Sequence, residues 1–397
     1  MKAPTDYDVL ILGAGPAGAA AAILLADAGA RVALLDAARF PRSKPCAGWL
    51  NARAVRQFPF LDKVRRKVRA VPFRTLVFHS PDLAQTARYS GRSHLGYIVS
   101  RRAFDAELVR AAAKAGAKTF LGRRVQSIQA AETGVTAVLA SGKRITARIL
   151  IGADGASSTV ARALGLRDQW PCDQVVAALA KDVRLTKKQL ADGFDSGAIH
   201  VALGFGGASG YAWAFPGHST VNVGIGIRGT PRTPRGDAGG DAGTDAARLR
   251  SLYDAWVKGL RDTGRLPKGA HTAKPVAAII PAGAAIEFEN HVGKRTVLIG
   301  DAGGFAAAAS GEGIYPAVWS ASIAARCILE ALAADRGERK GTTCQDALLE
   351  FRSAWRREMA PYLQMPNVNL QFLLPLIFTN RRIADRFARA FLFGENL

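Results

Sequence analysis

Three glycine-rich segments carry the backbone and side-chain groups best placed to hold a ligand. The first is Gly13-Ala14-Gly15-Pro16-Ala17-Gly18, between an apolar run at 8–12 and an Ala- and Leu-rich stretch at 17–28. Glycines so spaced in a strand–turn–helix suit a dinucleotide pyrophosphate. The first makes the turn, the second admits phosphate close to backbone, and the third lets the helix pack on the strand. The helix start, with Pro16 and Ala17 in its first turn, offers unbonded N–H groups and the positive end of the helix dipole. Asp36 closes the next apolar run, 31–35, where a carboxylate can accept from ribose hydroxyls, and Ala37 follows it. This pattern reads as a dinucleotide site and does not separate NAD from FAD.

The second segment, Gly300-Asp301-Ala302-Gly303-Gly304, follows the apolar run 295–299. An Asp at this turn suits a polyol hydroxyl. Ser310-Gly311-Glu312-Gly313 then leads into a helix expected over 314–334, with Ile314 its first residue. Unbonded N–H groups there would face the pyrimidine end of a flavin and stabilise negative charge on the reduced ring. Lying far downstream of the first motif, this pair turns a dinucleotide site into an FAD site. The third segment, Gly152-Ala153-Asp154-Gly155-Ala156-Ser157 followed by Arg162, would turn beside the pyrophosphate, with Ala153, Asp154 and Gly155 as candidate contacts. Asp-Gly is equally a common plain β-turn.

Cys46 is a candidate proton donor or redox thiol, against the alternative of a small buried residue. Tyr211, Trp213 and Phe215 alternate along a strand and so share one face. They would line an apolar channel for a chain-like or aromatic substrate, or form sheet core. Cys46, Tyr211 and Trp213 are the candidate catalytic residues. Glu312 reads as structural first and as a proton relay second, and His200 and His218 as structural.

The elements that position these groups follow from the pattern. The 8–12 run, the 17–28 helix and the 31–35 run make a βαβ unit, hence a parallel sheet. A helix is expected over 102–116, a meander over 122–149, strands through 169–227, an exposed loop at 228–247 and a helix at 246–264. Residues 40–74 read as a basic, irregular stretch. The fold expected is α/β, α+β overall. A Rossmann-type FAD domain (1–74, 100–168, 275–335) carries an inserted antiparallel-sheet substrate domain (75–99, 169–274) and a C-terminal helical region (336–397). With 397 residues and 49% hydrophobic content, the chain can bury a full core. Its four scattered cysteines fit neither a zinc ribbon nor a disulfide scaffold, and no metal is expected.

The charge is +22, from 54 Lys+Arg against 32 Asp+Glu. Such a balance points to an anionic partner or to a basic surface kept for solubility. Basic stretches interleaved with aromatics are absent, so nucleic acid is not expected. No secretory signal and no apolar run of about 20 residues is read; the cysteine usage fits a reducing cytosol, so a cytoplasmic protein is expected, peripheral to a membrane as the alternative. Residues 381–393 set Ile383, Phe387 and Phe391 opposite Arg382, Arg386 and Arg389. That amphipathic pattern would lie on an anionic membrane surface, form a lid, or pack on the core.

With Val99-Ser100-Arg101-Arg102-Ala103-Phe104-Asp105, the three glycine segments resemble the FAD-dependent oxidoreductases of the para-hydroxybenzoate hydroxylase structural group, over roughly 6–335. The resemblance implies that Arg101 reaches the FAD phosphates or ribose and that Val125 holds the adenine through its backbone. Lys44-Pro45-Cys46-Ala47-Gly48 resembles the KxCGG segment of the geranylgeranyl reductase family. Tyr211-Ala212-Trp213-Ala214-Phe215-Pro216 resembles its YxWxFP segment, and 300–314 its GDAAGF…TGEGI. By that resemblance Lys44, Cys46, Ala47 and Gly48 sit at the flavin ring. The implied activity is reduction or dehydrogenation of an apolar, prenyl- or lipid-like substrate. NAD(P)H or another reductant would be the transient electron donor, since no second dinucleotide motif follows. Ala307 and Ala308 replace the family's Asn-Pro, which implies a roomier or more mobile flavin face. The alternative is a flavin-dependent monooxygenase or halogenase of an aromatic substrate. A basic binding protein with a relic FAD site rests on charge alone.

Overall fold

A computed structural model describes residues 5–229, 242–270, 274–365 and 370–397. Most of the loop expected at 228–247 lies outside the described residues. The chain divides into two compact units, each built from three stretches of sequence.

The first unit is Met1–Ser43, Arg102–Trp170 and Pro281–Gln364. Its sheet runs Lys118–Leu121, Val32–Asp36, Tyr7–Leu12, Arg144–Gly152, Thr296–Leu298, all parallel neighbours. The short Val292–Gly293 strand closes one edge antiparallel. The hairpin Val125–Ala130 and Val135–Leu139 hangs from Arg144–Gly152. The central strands are continuous apolar runs because both of their faces are covered, as in parallel sheets generally. The Pro16–Asp27 helix packs on Ile314–Asp335, which packs in turn on Cys344–Leu363. By length and composition Ile314–Asp335 could cross a membrane. Here it is a core helix, with Ile314, Val318, Ile323 and Ile328 all buried.

The second unit is Lys44–Arg101, Pro171–Ile280 and Met365–Leu397. Its seven-stranded sheet runs Val276–Ile280, Val176–Arg184, Thr220–Arg228, Gly210–Pro216, Ala198–Leu203, Thr75–His79, Thr86–Ser90. All pairs are antiparallel except Ala198–Leu203 with Thr75–His79. One core, with Trp256, Tyr253 and Leu260, places the Ala242–Asp262 helix on the sheet. The other, with Trp213, Phe215, Phe387 and Phe391, brings in the C-terminal helices Leu370–Thr379 and Arg381–Phe393.

These packings move the expected boundaries. Residues 44–74 leave the FAD unit, because Trp49–Asn51 and Val71–Phe73 both pair with Gly96–Ile98 and carry Trp49 and Phe73 into the second unit's core. The C-terminal region is not one piece. Cys344–Leu363 packs into the first unit, and 365–397 into the second. The basic stretch at 40–74 is ordered. Ala52–Gln57 is capped by the Asn51 side chain, and Pro59–Lys67 starts on its proline with Leu61 and Val64 buried. Part of its charge is met internally: Arg65 and Arg66 pair with Asp62, and Arg53 with Glu395. The strand-like 169–227 region contains a helix, Lys187–Gly193, begun by a Thr186/Gln189 capping box. The apolar face of Arg381–Phe393 neither lies on a membrane nor forms a lid, because Ala384, Phe387, Ala388 and Phe391 fill the core.

Candidate functional site

The first unit builds a cradle around its first glycine motif. Gly13 has φ +101°, and a Cβ on it would lie 2.3 Å from the Ala153 carbonyl oxygen, so the first and third motifs are in contact. A Cβ on Gly18 would lie 1.8 Å from the Gly13 carbonyl oxygen, which forces glycine where the helix crosses the turn. Gly15 differs. Its backbone is ordinary (φ −72°), and a Cβ there would meet only Arg42 Nη2, at 3.6 Å. Neither backbone nor packing within the protein therefore requires glycine at 15, and the space beside it is open. It is the N-cap of Pro16–Asp27, with no side-chain cap on the first-turn N–H groups and no acid in that turn. Those donors and the helix dipole are arranged for an anion.

Asp36 is half-buried at its strand end. Its Oδ2 accepts from the Ala14 N–H (2.8 Å) and its Oδ1 from the Ala38 N–H (2.8 Å). The carboxylate thus fixes the glycine turn and the loop through Ala37, and keeps lone pairs for a ribose. Arg42 was not singled out by sequence. It pairs with buried Asp105 (3.2 Å) while its other nitrogen faces Gly15. A lone arginine within a basic run carries no signal of its own.

Gly300–Gly303 follows its strand as a tight turn. Gly300 has φ +57°, and a Cβ on it would meet Ala17 Cβ at 2.8 Å, which ties the second motif to the helix of the first. Asp301 Oδ1 lies 3.4 Å from where a Gly313 Cβ would stand. Gly313 caps Ile314–Asp335 with no side-chain hydrogen bond, so a second helix N-terminus is open beside Asp301. Arg167, also missed, donates to the Ala302 carbonyl (3.1 Å) and stacks on Trp170 at 3.7 Å. Burial pushes its pKa down to about 10.

The loop expected to leave a roomier or more mobile flavin face is held by backbone hydrogen bonds. The Ala307 N–H donates to Glu312 O and the Gly311 N–H to Ala307 O (2.9 Å each), while the Ala308 N–H donates to Leu363 O (3.0 Å). A proline at 308 could not make that last bond. Buried Glu312 accepts from the Tyr362 hydroxyl on the same Cys344–Leu363 helix, which agrees with its structural reading. Asp154 caps Thr159–Ala163 instead of facing outward. It accepts from the Ser158 hydroxyl (2.5 Å) and from the Thr159 and Val160 N–H groups. Burial raises its pKa, and these bonds oppose the shift. Gly155 takes φ +85° in that turn, and half-buried Val125 opens Val125–Ala130.

In the second unit, Lys44, Cys46 and Ala47 are half-buried and lead into Trp49–Asn51. Gly48 has φ +77°, and a Cβ on it would lie 2.2 Å from the Val99 carbonyl oxygen. Cys46 is a free thiol whose Sγ accepts from the Gly48 N–H (3.3 Å). Arg101 is half-buried at the start of Arg101–Lys114. Trp213 and Phe215 are core residues, 5% and 2% exposed, so they do not wall an open channel. The Trp213 Nε1 donates to Asn222 Oδ1 (2.8 Å), and its ring occupies the space left by Gly224, so its N–H has no proton to give a substrate. Tyr211 is half-buried, 5.8 Å from Trp213 and 5.5 Å from Phe391, and alone of the three keeps access to solvent.

These geometries fit a dinucleotide: two uncapped helix starts, an open Gly15 between acid-fixed turns, and an arginine at its edge. A family profile described as FAD binding domain matches residues 6–223. Menaquinone reductase of Mycobacterium tuberculosis is 31% identical over 79% of this chain and 74% of its own. Digeranylgeranylglycerophospholipid reductase of Methanoculleus marisnigri is 29% identical over 88% and 82%. Among solved structures, a geranylgeranyl bacteriochlorophyll reductase-like protein from Thermoplasma acidophilum superposes with TM-score 0.76 over 98% of this chain and 97% of its own. At 18% identity it shows the fold alone. The chain therefore belongs to the FAD-binding-domain family and, within it, to the FAD-dependent oxidoreductases of the geranylgeranyl reductase family.

Proposed function

We propose that this chain reduces carbon–carbon double bonds in the isoprenoid chain of a lipid-like substrate. The observation that carries the reading is the Gly13–Gly18 cradle, open at Gly15 and flanked by a second uncapped helix start at Gly313. Its support is the reductase activity named for relatives that span most of the chain.

When bound and reduced, FAD would be the source of the hydride needed at one carbon of the double bond. The chain's own residues do the rest. The N–H groups after Gly15, with Arg42, hold the pyrophosphate. Asp36 holds the adenosine ribose and Asp301 the ribityl chain. The N–H groups after Gly313 would face the flavin and stabilise negative charge there. The Tyr362–Glu312 bond and the Ala308–Leu363 bond keep that loop in one shape. The resemblance of its segment to the family's KxCGG makes Cys46, a free and half-buried thiol, the proposed donor of the proton for the second carbon. The two electrons come from NAD(P)H or another reductant before each turnover.

The test is anaerobic. The enzyme's flavin is bleached with one equivalent of reductant and a geranylgeranyl-bearing phospholipid or menaquinone is added in detergent. The reading predicts return of the oxidised flavin band with each lipid double bond consumed. A flavin that stays bleached until oxygen is admitted overturns it.

A further inference from the structure

We propose that the Leu370–Thr379 helix, with Arg381, Arg382 and Arg386 just beyond it, docks the second unit on an anionic lipid bilayer. The helix carries no charged residue. Leu373, Leu374, Ile377 and Phe378 turn inward against the core. The opposite stripe, Phe372, Pro375, Leu376 and Thr379, has the i, i+3, i+4, i+7 spacing of one helix face and is solvent-facing, with Phe372 78% exposed and Leu376 44%. A surface helix ordinarily puts charge on that face. This one has no charge on either side, and the exposed apolar strip of Phe372, Pro375 and Leu376 marks an interaction surface.

Charge selects the occupant. Asn380 caps the next helix through its side chain, so the chain turns at once into Arg381–Phe393. Arg381, Arg382 and Arg386 are exposed there and form no ion pair among the described residues. One half-buried acid, Asp385, lies among them, and Arg389 is paired with Glu395. Apolar side chains bordered by arginines match acyl chains bordered by anionic headgroups. A second copy is the poorer occupant, since each chain carries +22. The apolar face of Arg381–Phe393 is not the membrane face, because it is already in the core. The proposal deepens the lipid-substrate reading by naming where such a substrate's membrane is met.

The test is vesicle co-sedimentation of the full-length, FAD-loaded protein, with phosphatidylcholine alone and with a third phosphatidylglycerol. The wild type should bind the anionic vesicles, more weakly at high salt. Phe372→Gln/Leu376→Gln should weaken partition at least tenfold. Arg381→Gln/Arg382→Gln/Arg386→Gln should weaken it about a hundredfold, at roughly fivefold per arginine. Both variants should keep wild-type FAD content and melting temperature. No partition by the wild type, partition unaltered by Phe372→Gln/Leu376→Gln, or a wild-type dimer dispersed by that variant would overturn the proposal. Reduction of detergent-dispersed substrate separates the two ideas: if it persists without vesicle binding, the docking surface alone has failed.

Discussion

Replacing Gly15 by Ala separates a glycine kept for a ligand from one kept for the fold. At Gly15 the backbone suits any residue, and an added Cβ meets only the end of the Arg42 side chain at 3.6 Å. The ligand-free protein should be unharmed, or stabilised by up to about 1 kcal/mol through a stiffer unfolded chain. The pyrophosphate, however, would be pushed off the first-turn N–H groups. Losing two hydrogen bonds to a charged group, at roughly 1.5–3 kcal/mol each, gives about 3–6 kcal/mol, or on the order of 10²–10⁴ in FAD affinity. Gly18→Ala is the contrast. Its Cβ would lie 1.8 Å from a backbone oxygen, so that variant should lose the fold itself. The assays are calorimetric FAD titration and urea unfolding of the ligand-free forms. Wild-type FAD affinity in Gly15→Ala, or ligand-free unfolding as early as that of Gly18→Ala, would show that Gly15 does not admit the pyrophosphate.

Other outcomes follow from the same structure. Cys46→Ala should keep full FAD content and lower turnover by about 10²–10⁴, the usual worth of a placed acid; unchanged turnover would move the proton donor elsewhere. Trp213→Phe should leave the buried Asn222 oxygen unsatisfied and cost about 1–3 kcal/mol in unfolding free energy, with FAD binding intact. Burial holds three histidines neutral, His79 with a pKa of about 4 and His200 and His291 of about 3. In the unfolded chain they protonate near 6.5, so below that pH the unfolded state binds more protons. Their contribution is complete above pH 6.5 and is lost as pH falls toward 4, by about 1.4 kcal/mol per histidine per pH unit. Urea midpoints measured from pH 7 to 5 should drop steeply, and a flat profile would contradict the buried neutral state.

The βαβ core and its glycine motifs were legible because chemistry and geometry coincide there: Gly13 and Gly18 have no room for a side chain. What escaped was set by distant packing. The 40–74 stretch looked irregular since its helices bury only a few residues each, Leu61 and Val64 in one case. The Thr186/Gln189 capping box was a readable helix start within a region dominated by strand-like composition. Arg42, Arg167 and Tyr362 act through tertiary contacts with Gly15, Ala302 and Glu312, which no local pattern announces. The alternating aromatics at 211–215 showed their shared face correctly, but not that Phe391 would close over it. The Arg381–Phe393 pattern likewise gave its apolar face without its partner, and the helix before it, uncharged and mostly apolar, concealed that one of its faces stays in solvent.

Double-bond reduction is read most plainly from the mass of the product formed by the reduced enzyme from an isoprenoid lipid in a sealed, oxygen-free vessel. A gain of two hydrogens for each double bond lost is expected. A product carrying an added oxygen or halogen atom, formed only when air is admitted, would contradict it.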